Sequence, residues 1–126
     1  MTEHEGRIER LQNLLPQAWS RESSSKWTAE NPACGQCGVT ALVAQDLLGG
    51  ELRKTPLPDG WHFYNCINGR CVDFTESQFA EPVVYADIPA TWTEAFADTN
   101  DRQYAALQGR VLWLWNEPEQ AGDKKS

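Results

Sequence analysis

Histidine is scarce in this chain. Only His4 and His62 occur in 126 residues, and His4 lies close to the N terminus, where chain ends are often frayed. Any chemistry that needs an imidazole therefore has one well-placed candidate, His62. Cysteine occurs four times, so thiol chemistry, a metal site and a disulfide all have to be weighed against that single imidazole.

Positive charge is also in short supply, with 11 Lys and Arg against 18 Asp and Glu and a net charge of −7. This argues against nucleic acid or an anionic membrane as a partner, because proteins that bind them carry clustered positive charge. No apolar run approaches the ~18–20 residues that cross a bilayer. The acidic segment Met1–Glu5 lacks the apolar core of a secretory signal, so we expect a cytoplasmic protein.

The composition, 40% hydrophobic and 23% charged, is typical of a globular domain. We expect a single α+β domain over residues 1–116 and a disordered polar tail over 117–126. Apolar residues at helical spacing predict helices over 5–19, from 35–37 to 48, and within 100–115. Pro16 is expected to kink or stop the first helix, and Gly49 to end the second.

The predicted strands cover 51–55, 61–67, 70–75 and 83–85, the first of them at a sheet edge. The segment 56–60 is predicted to be a turn. Thr75-x-x-Gln78 is a capping-box pattern and predicts a short helix over 75–80.

Asn68-Gly69 predicts a hairpin with a type I′ turn, which sets the register of its two strands. Cys66 then lies opposite Cys71. His62 and Asp73 lie diagonally on one face, about 7–8 Å apart between Cα atoms, a distance that their side chains can close. That face carries His62, Tyr64, Cys66, Cys71, Asp73 and Thr75, and the other face carries Phe63, Asn65, Val72 and Phe74.

Cys37 is the candidate nucleophile because it lies at the start of the second helix, where the helix dipole favours a thiolate and lowers its pKa. His62 would form a Cys–His pair with it, and Asp73 would orient the imidazole. The Cys37 backbone N–H would point at a developing oxyanion, with a second donor from Gln36 or Asn31.

Aromatic residues near these positions are candidates for the wall of a pocket. Trp27 or Trp61 could form the wall of a cleft beside Cys37, and Tyr64 shares the face of His62. For each of them, packing in the core or across the strands is the simpler interpretation.

The cysteines allow two alternatives to a nucleophile. Cys34-x2-Cys37 and Cys66-x4-Cys71 together form a possible four-cysteine zinc site. Alternatively, Cys66 and Cys71 are a structural cross-strand pair, a disulfide or, in a reducing cytoplasm, two thiols. Cys34 is then a small buried residue beside Cys37.

The segment from Asn31 to Asp73 closely resembles the YunG-like family of uncharacterised bacterial proteins. The matching pieces include Ser-Ser-Lys-Trp (24–27), Gly-Gln-Cys-Gly (35–38), His-Phe-Tyr-Asn (62–65) and Asp-Phe-Thr (73–75). The layout is similar to papain and transglutaminase cysteine sites, in which a helix with the nucleophile packs on a sheet with His and Asp. The positions that match that layout are Cys37, His62 and Asp73.

The segment Cys34-Gly35-Gln36-Cys37 also resembles the Cys-Gly-Ser-Cys-Trp segment of papain-like proteases, with Asn31 in place of the oxyanion glutamine. Gln36 and Gly38 depart from that pattern. From these resemblances and the predicted elements, we expect an α+β fold with a papain-like or transglutaminase-like core, in which a central helix packs on a small antiparallel sheet.

The expected function is cysteine-nucleophile hydrolysis or acyl transfer on an amide or acyl group of a peptide or small-molecule substrate, without a cofactor. The alternatives are a zinc-stabilised binding domain built on the four cysteines and a non-catalytic domain that binds a peptide or small molecule.

Overall fold

A computed structural model describes residues 3–116, which form an α+β fold, as the sequence predicts. The helices are α1 (Glu3–Ala18), α2 (Cys37–Leu48), α3 (Trp92–Phe96) and α4 (Asp101–Asn116). The strands are β1 (Glu51–Leu57), β2 (Gly60–Ile67), β3 (Arg70–Val72) and β4 (Ile88–Ala90), and a 3-10 turn covers Glu76–Gln78. The predicted disordered tail at 117–126 lies outside the described residues.

Helix α2 is the central element, because its apolar residues surround most of its circumference. Val39 and Val43 pack in a cluster with α1 and α4, whereas Ala41 and Leu42 pack with Leu52 and other residues of the sheet and α3. The helix ends where predicted, at Gly49, whose φ of 80° few other residues tolerate.

The sheet is antiparallel with the strand order β3-β2-β1-β4. The prediction that the first strand is an edge strand was wrong, because β4 pairs with its outer side. The predicted turn at 56–60 is shorter than expected: β1 continues to Leu57 and β2 begins at Gly60, so that only Pro58 and Asp59 form the turn.

The β2–β3 hairpin has the predicted register, with Cys66 opposite Cys71 and positive φ at Asn68 and Gly69. Strand β3 nevertheless ends at Val72 rather than at residue 75. Asp73 leaves the ladder because its Oδ1 accepts hydrogen bonds from the backbone N–H and the hydroxyl of Thr75, which turns the chain.

Helix α1 includes Pro16 and ends two residues later, at Ala18. Two further local predictions were wrong. Residues 83–85 are not a strand, and β4 lies a few positions later. Thr75 makes no side-chain cap, so only a 3-10 turn follows it. The capping box is instead formed by Thr91 and Glu94 at the start of α3, a helix that the sequence reading missed.

Residues 79–87, here called the strap, cross the sheet face that carries His62 and Tyr64. The buried Thr55 hydroxyl donates to the Val84 carbonyl at 3.0 Å and accepts from the Ala86 N–H at 2.9 Å. The strap therefore covers a face that alternation alone would leave half exposed. Within residues 3–116, no helix is long and apolar enough to cross a membrane.

Thr55→Val tests how the strap is held. Valine keeps the shape of threonine but loses both hydrogen bonds to the strap, so we expect the free energy of unfolding to fall by about 1–3 kcal/mol. Urea titration measures this loss, and hydrogen exchange of the Ala86 amide should accelerate. Thr93→Val, at an exposed position, is the control. Equal small losses in both variants would contradict a strap held by Thr55.

Candidate functional site

A cleft of about 750 Å³ opens at the N-terminal end of α2. The β1–β2 turn, the strap and the segment that follows α3 form its other walls. Its lining includes Cys37, His62, Trp61, Phe79 and Asp98. The structure thus brings the candidate nucleophile and the only well-placed histidine to one cavity.

Cys37 is the first residue of α2 and is half-buried. Its thiol donates a hydrogen bond to Asp98 Oδ2 at 3.5 Å. Burial and then the Asp98 carboxylate raise the pKa of the Cys37 thiol to about 12, against a smaller lowering by the Phe63 backbone N–H. The expectation of a lowered pKa was therefore wrong, and the resting thiol is neutral.

Besides burial, the reason is that the Asp98 carboxylate already occupies the N terminus of α2. Its Oδ2 accepts the Gly38 N–H at 3.1 Å, so a negatively charged carboxylate already lies at the positive end of the helix dipole. Only glycine fits at position 38: an added Cβ would lie 2.6 Å from Asp98 Oδ2 and 2.8 Å from the Ala95 carbonyl oxygen. The helix start is shaped for this carboxylate.

Asp73 accepts hydrogen bonds on both of its carboxylate oxygens. Oδ2 lies 2.7 Å from His62 Nε2 and accepts the Tyr85 hydroxyl at 2.7 Å, while Oδ1 accepts the two donors of Thr75. Burial and then the bond to Asp73 raise the pKa of the Tyr85 hydroxyl, so it remains a donor. Four donors therefore surround one buried carboxylate and satisfy both of its oxygens.

The His62 ring is fixed by its neighbours. Its side chain is 2% exposed, the Phe79 ring meets it edge-on at 4.9 Å between centroids, and Tyr64 stacks on it at 6.0 Å. Because Asp73 takes Nε2, Nδ1 is left without a hydrogen-bonding partner among residues 3–116. Cys37 and His62 line one cleft but make no hydrogen bond to each other there.

The other predicted pocket residues do not line the cleft. Gln36 is fully buried, and its amide donates to the Ser20 carbonyl at 3.4 Å. The Asn31 amide donates to the Gln78 carbonyl at 3.2 Å.

The aromatic candidates divide differently. Trp27 packs against the core, and the Tyr64 hydroxyl donates to Asp87 Oδ1 at 2.8 Å, so neither faces the cleft. Trp61 does line it, with Lys54 Nζ 4.4 Å from the centre of its ring.

The four cysteines do not assemble into a zinc site. Cys34 and Cys37 lie at the cleft, whereas Cys66 and Cys71 pair on the hairpin, and all four are free thiols. Among the described residues, no three His, Cys, Asp or Glu side chains are grouped so that they could hold a metal ion.

Three residues of the site were missed in the sequence. Asp98 was not among the candidate residues, Tyr85 was predicted to lie in a strand, and Gln78, whose Oε1 accepts the Gly35 N–H at 3.4 Å, was predicted to cap a helix. One sequence signal indicated a close approach here, though not by which residue: Gly38 is unusual in the first turn of an apolar helix.

Comparison with known proteins identifies relatives of this chain. The family model described as YunG protein matches residues 7–115. A Bacillus subtilis (strain 168) protein described as "Uncharacterized protein YunG" is 55% identical over 101 residues, which cover 80% of this chain and 88% of the relative. No solved structure matches the chain.

Asp73→Asn tests the buried carboxylate. The asparagine amide would turn N–H donors towards groups that are themselves donors, so we expect a loss of about 3 kcal/mol in the free energy of unfolding. Chemical denaturation measures it. Glu76→Gln, an exposed carboxyl three positions later, is the control and should change stability by less than about 0.5 kcal/mol. A similarly small loss for Asp73→Asn would show that the four donors do not depend on this carboxylate.

Proposed function

The chain belongs to the YunG family, and we propose that it is a cysteine-dependent hydrolase or acyltransferase acting on an amide or acyl group. The observation that carries the proposal is the shared cleft of Cys37 and His62, with the second nitrogen of His62 bound to buried Asp73. This combines a thiol, a base within the same cavity and a group that orients the base.

The proposed chemistry starts from a neutral thiol. As Cys37 Sγ attacks the carbonyl carbon, a C–S bond forms, the carbonyl electron pair moves to oxygen, and His62 Nδ1 takes the thiol proton. Asp73 orients and stabilises the imidazolium that results. The imidazolium then protonates the departing amine or alcohol as its bond to carbon breaks, which leaves a thioester on Cys37.

Water or a second nucleophile completes the cycle. His62 removes a proton from the incoming molecule, the new bond to carbon forms, and the C–S bond breaks to release the thiolate, which takes the proton back from His62. Water as the incoming molecule gives hydrolysis, and an amine or alcohol gives acyl transfer. The chemistry at Cys37 and His62 is the same for both outcomes.

The start of α2 offers a donor for the oxyanion. The Cys37 backbone N–H has no acceptor among residues 3–116, and it belongs to the same residue as the attacking sulfur, which is the usual relation in acyl-transfer sites. The amides of Gln36 and Asn31 are engaged elsewhere. In this proposal the oxyanion therefore depends mainly on backbone donors at the helix start.

The proposed core is of the papain or transglutaminase type. Two features support it: a buried helix that begins with the cysteine packs on β2, and the histidine and aspartate follow from β2 and from the end of β3. The order along the chain is Cys37, His62, Asp73.

A non-catalytic binding domain is the second candidate. The cleft has an apolar rim that includes Trp61, 48% exposed, and Val84, 87% exposed, which suits an apolar group of a peptide or small molecule. A neutral Cys37 thiol is compatible with such a domain.

Acylation by p-nitrophenyl acetate separates the two candidates. We expect one acetyl group on Cys37, located by peptide mass spectrometry. His62→Gln keeps a side-chain amide that can donate to Asp73 but is no base, and should slow acylation by about 10²–10⁴-fold.

The matched control is Cys34→Ser, because Cys34 lines the same cleft and its loss should leave acylation of Cys37 unchanged. No acetyl group on Cys37, or equal acetylation with and without His62, would contradict the enzyme and favour the binding domain.

A further inference from the structure

We propose that Asp98 is a carboxylate latch on the nucleophile: in the substrate-free protein it occupies the start of α2 and holds the Cys37 thiol unreactive until substrate displaces it. The inference rests on the proposed role of Cys37. It adds a residue to Cys37, His62 and Asp73, and it explains why the Cys37 thiol does not react in the absence of substrate.

The geometry places both contacts on one oxygen. Asp98 Oδ2 accepts the Cys37 thiol at 3.5 Å and the Gly38 N–H at 3.1 Å. The backbone donors at this helix end are also the ones that a developing oxyanion needs. Two negative groups repel each other at one helix terminus, so the carboxylate must leave before the oxyanion forms.

The fold presents Asp98 to this position from α3. The capping box of Thr91 and Glu94 begins α3, Ala95 is fully buried against α2, and the Asp98 N–H donates to the Ala95 carbonyl at 3.1 Å. Gly38 provides the space, since any Cβ there would collide with Asp98 and with the Ala95 carbonyl. Both segments therefore contribute to the close approach of Asp98 to α2: α3 positions the carboxylate, and Gly38 leaves room for it.

The latch is held weakly enough to be displaced. Asp98 is an exposed residue and forms no ion pair with any cation of residues 3–116. The pKa of its carboxyl is raised by partial burial, which outweighs the lowering by the hydrogen bonds from Cys37 and Gly38 and by the charges of Lys26 and His62. A substrate that displaces Asp98 therefore has to replace only the two hydrogen bonds that Oδ2 accepts, from the Cys37 thiol and the Gly38 N–H.

Alkylation by iodoacetamide reports on the latch without any acyl substrate. Asp98→Asn keeps an oxygen for the Gly38 N–H but removes the negative charge beside the thiol, which lowers the pKa of Cys37. At a fixed pH near 8, we expect Cys37 labelling, followed for each cysteine by mass spectrometry, to become about tenfold faster or more. Labelling of Cys34 and Cys71 should not change.

Two further variants complete the test. Asp59→Asn removes a carboxylate that lines the same cleft but has no contact with Cys37, and it should label at the wild-type rate. Gly38→Ala adds a Cβ that collides with Asp98 and with the Ala95 carbonyl; it displaces Asp98 together with the end of α3, changes no charge, and should also speed labelling of Cys37. The proposal is overturned if Asp98→Asn labels Cys37 at the wild-type rate, or if all cysteines accelerate together in both Asp98→Asn and Gly38→Ala.

The result is separable from the fate of the proposed function. Faster labelling in Asp98→Asn, with no acetyl transfer to Cys37 in any variant, would support the role of Asp98 and contradict the proposed enzymatic function. Acetylation of wild-type Cys37 that depends on His62, with no change of labelling in Asp98→Asn, would support the proposed enzymatic function and contradict the role of Asp98.

Discussion

The buried carboxylate of Asp73 is the interaction on which the cleft depends. Its contact with Thr75 ends β3, its contact with Tyr85 holds the strap over the sheet, and its contact with His62 sets the imidazole. An ionised carboxylate away from water is stable only when several donors surround it. The need of this carboxylate for several donors therefore determines where β3 ends, how the strap is held and how the candidate base is oriented.

A second carboxylate acts on the other side of the cleft. Asp98 lies at the positive end of α2 and against the Cys37 thiol, so one aspartate fixes the candidate base and another contacts the candidate nucleophile. The helix dipole alone would favour a thiolate, but burial and the adjacent charge outweigh it. In the proposed mechanism, such a site is unreactive without substrate and becomes reactive when Asp98 leaves the start of α2.

The parts of the site that were predictable come from short-range rules. Asn68-Gly69 determines the hairpin register, and Gly49 marks the end of α2, so the neighbourhood of His62 and Asp73 and the position of Cys37 could be read from the sequence. Asp98 could not, because it reaches Cys37 from 61 positions away through α3, a helix of five residues that is too short to show periodicity. The raised pKa of Cys37 was also mispredicted, because it comes first from burial in the folded chain and then from that distant carboxylate.

The central claim is that Asp73 holds His62 through Nε2 and leaves Nδ1 open to the cleft. Nitrogen NMR of the histidine rings tests it most directly, and with only two histidines in the chain a His4→Gln variant completes the assignment. With the ring neutral, we expect the proton of His62 on Nε2 and an unprotonated Nδ1 that can accept the thiol proton. A neutral His62 that carries its proton on Nδ1 would contradict both the bond to Asp73 and the proposed role of the imidazole.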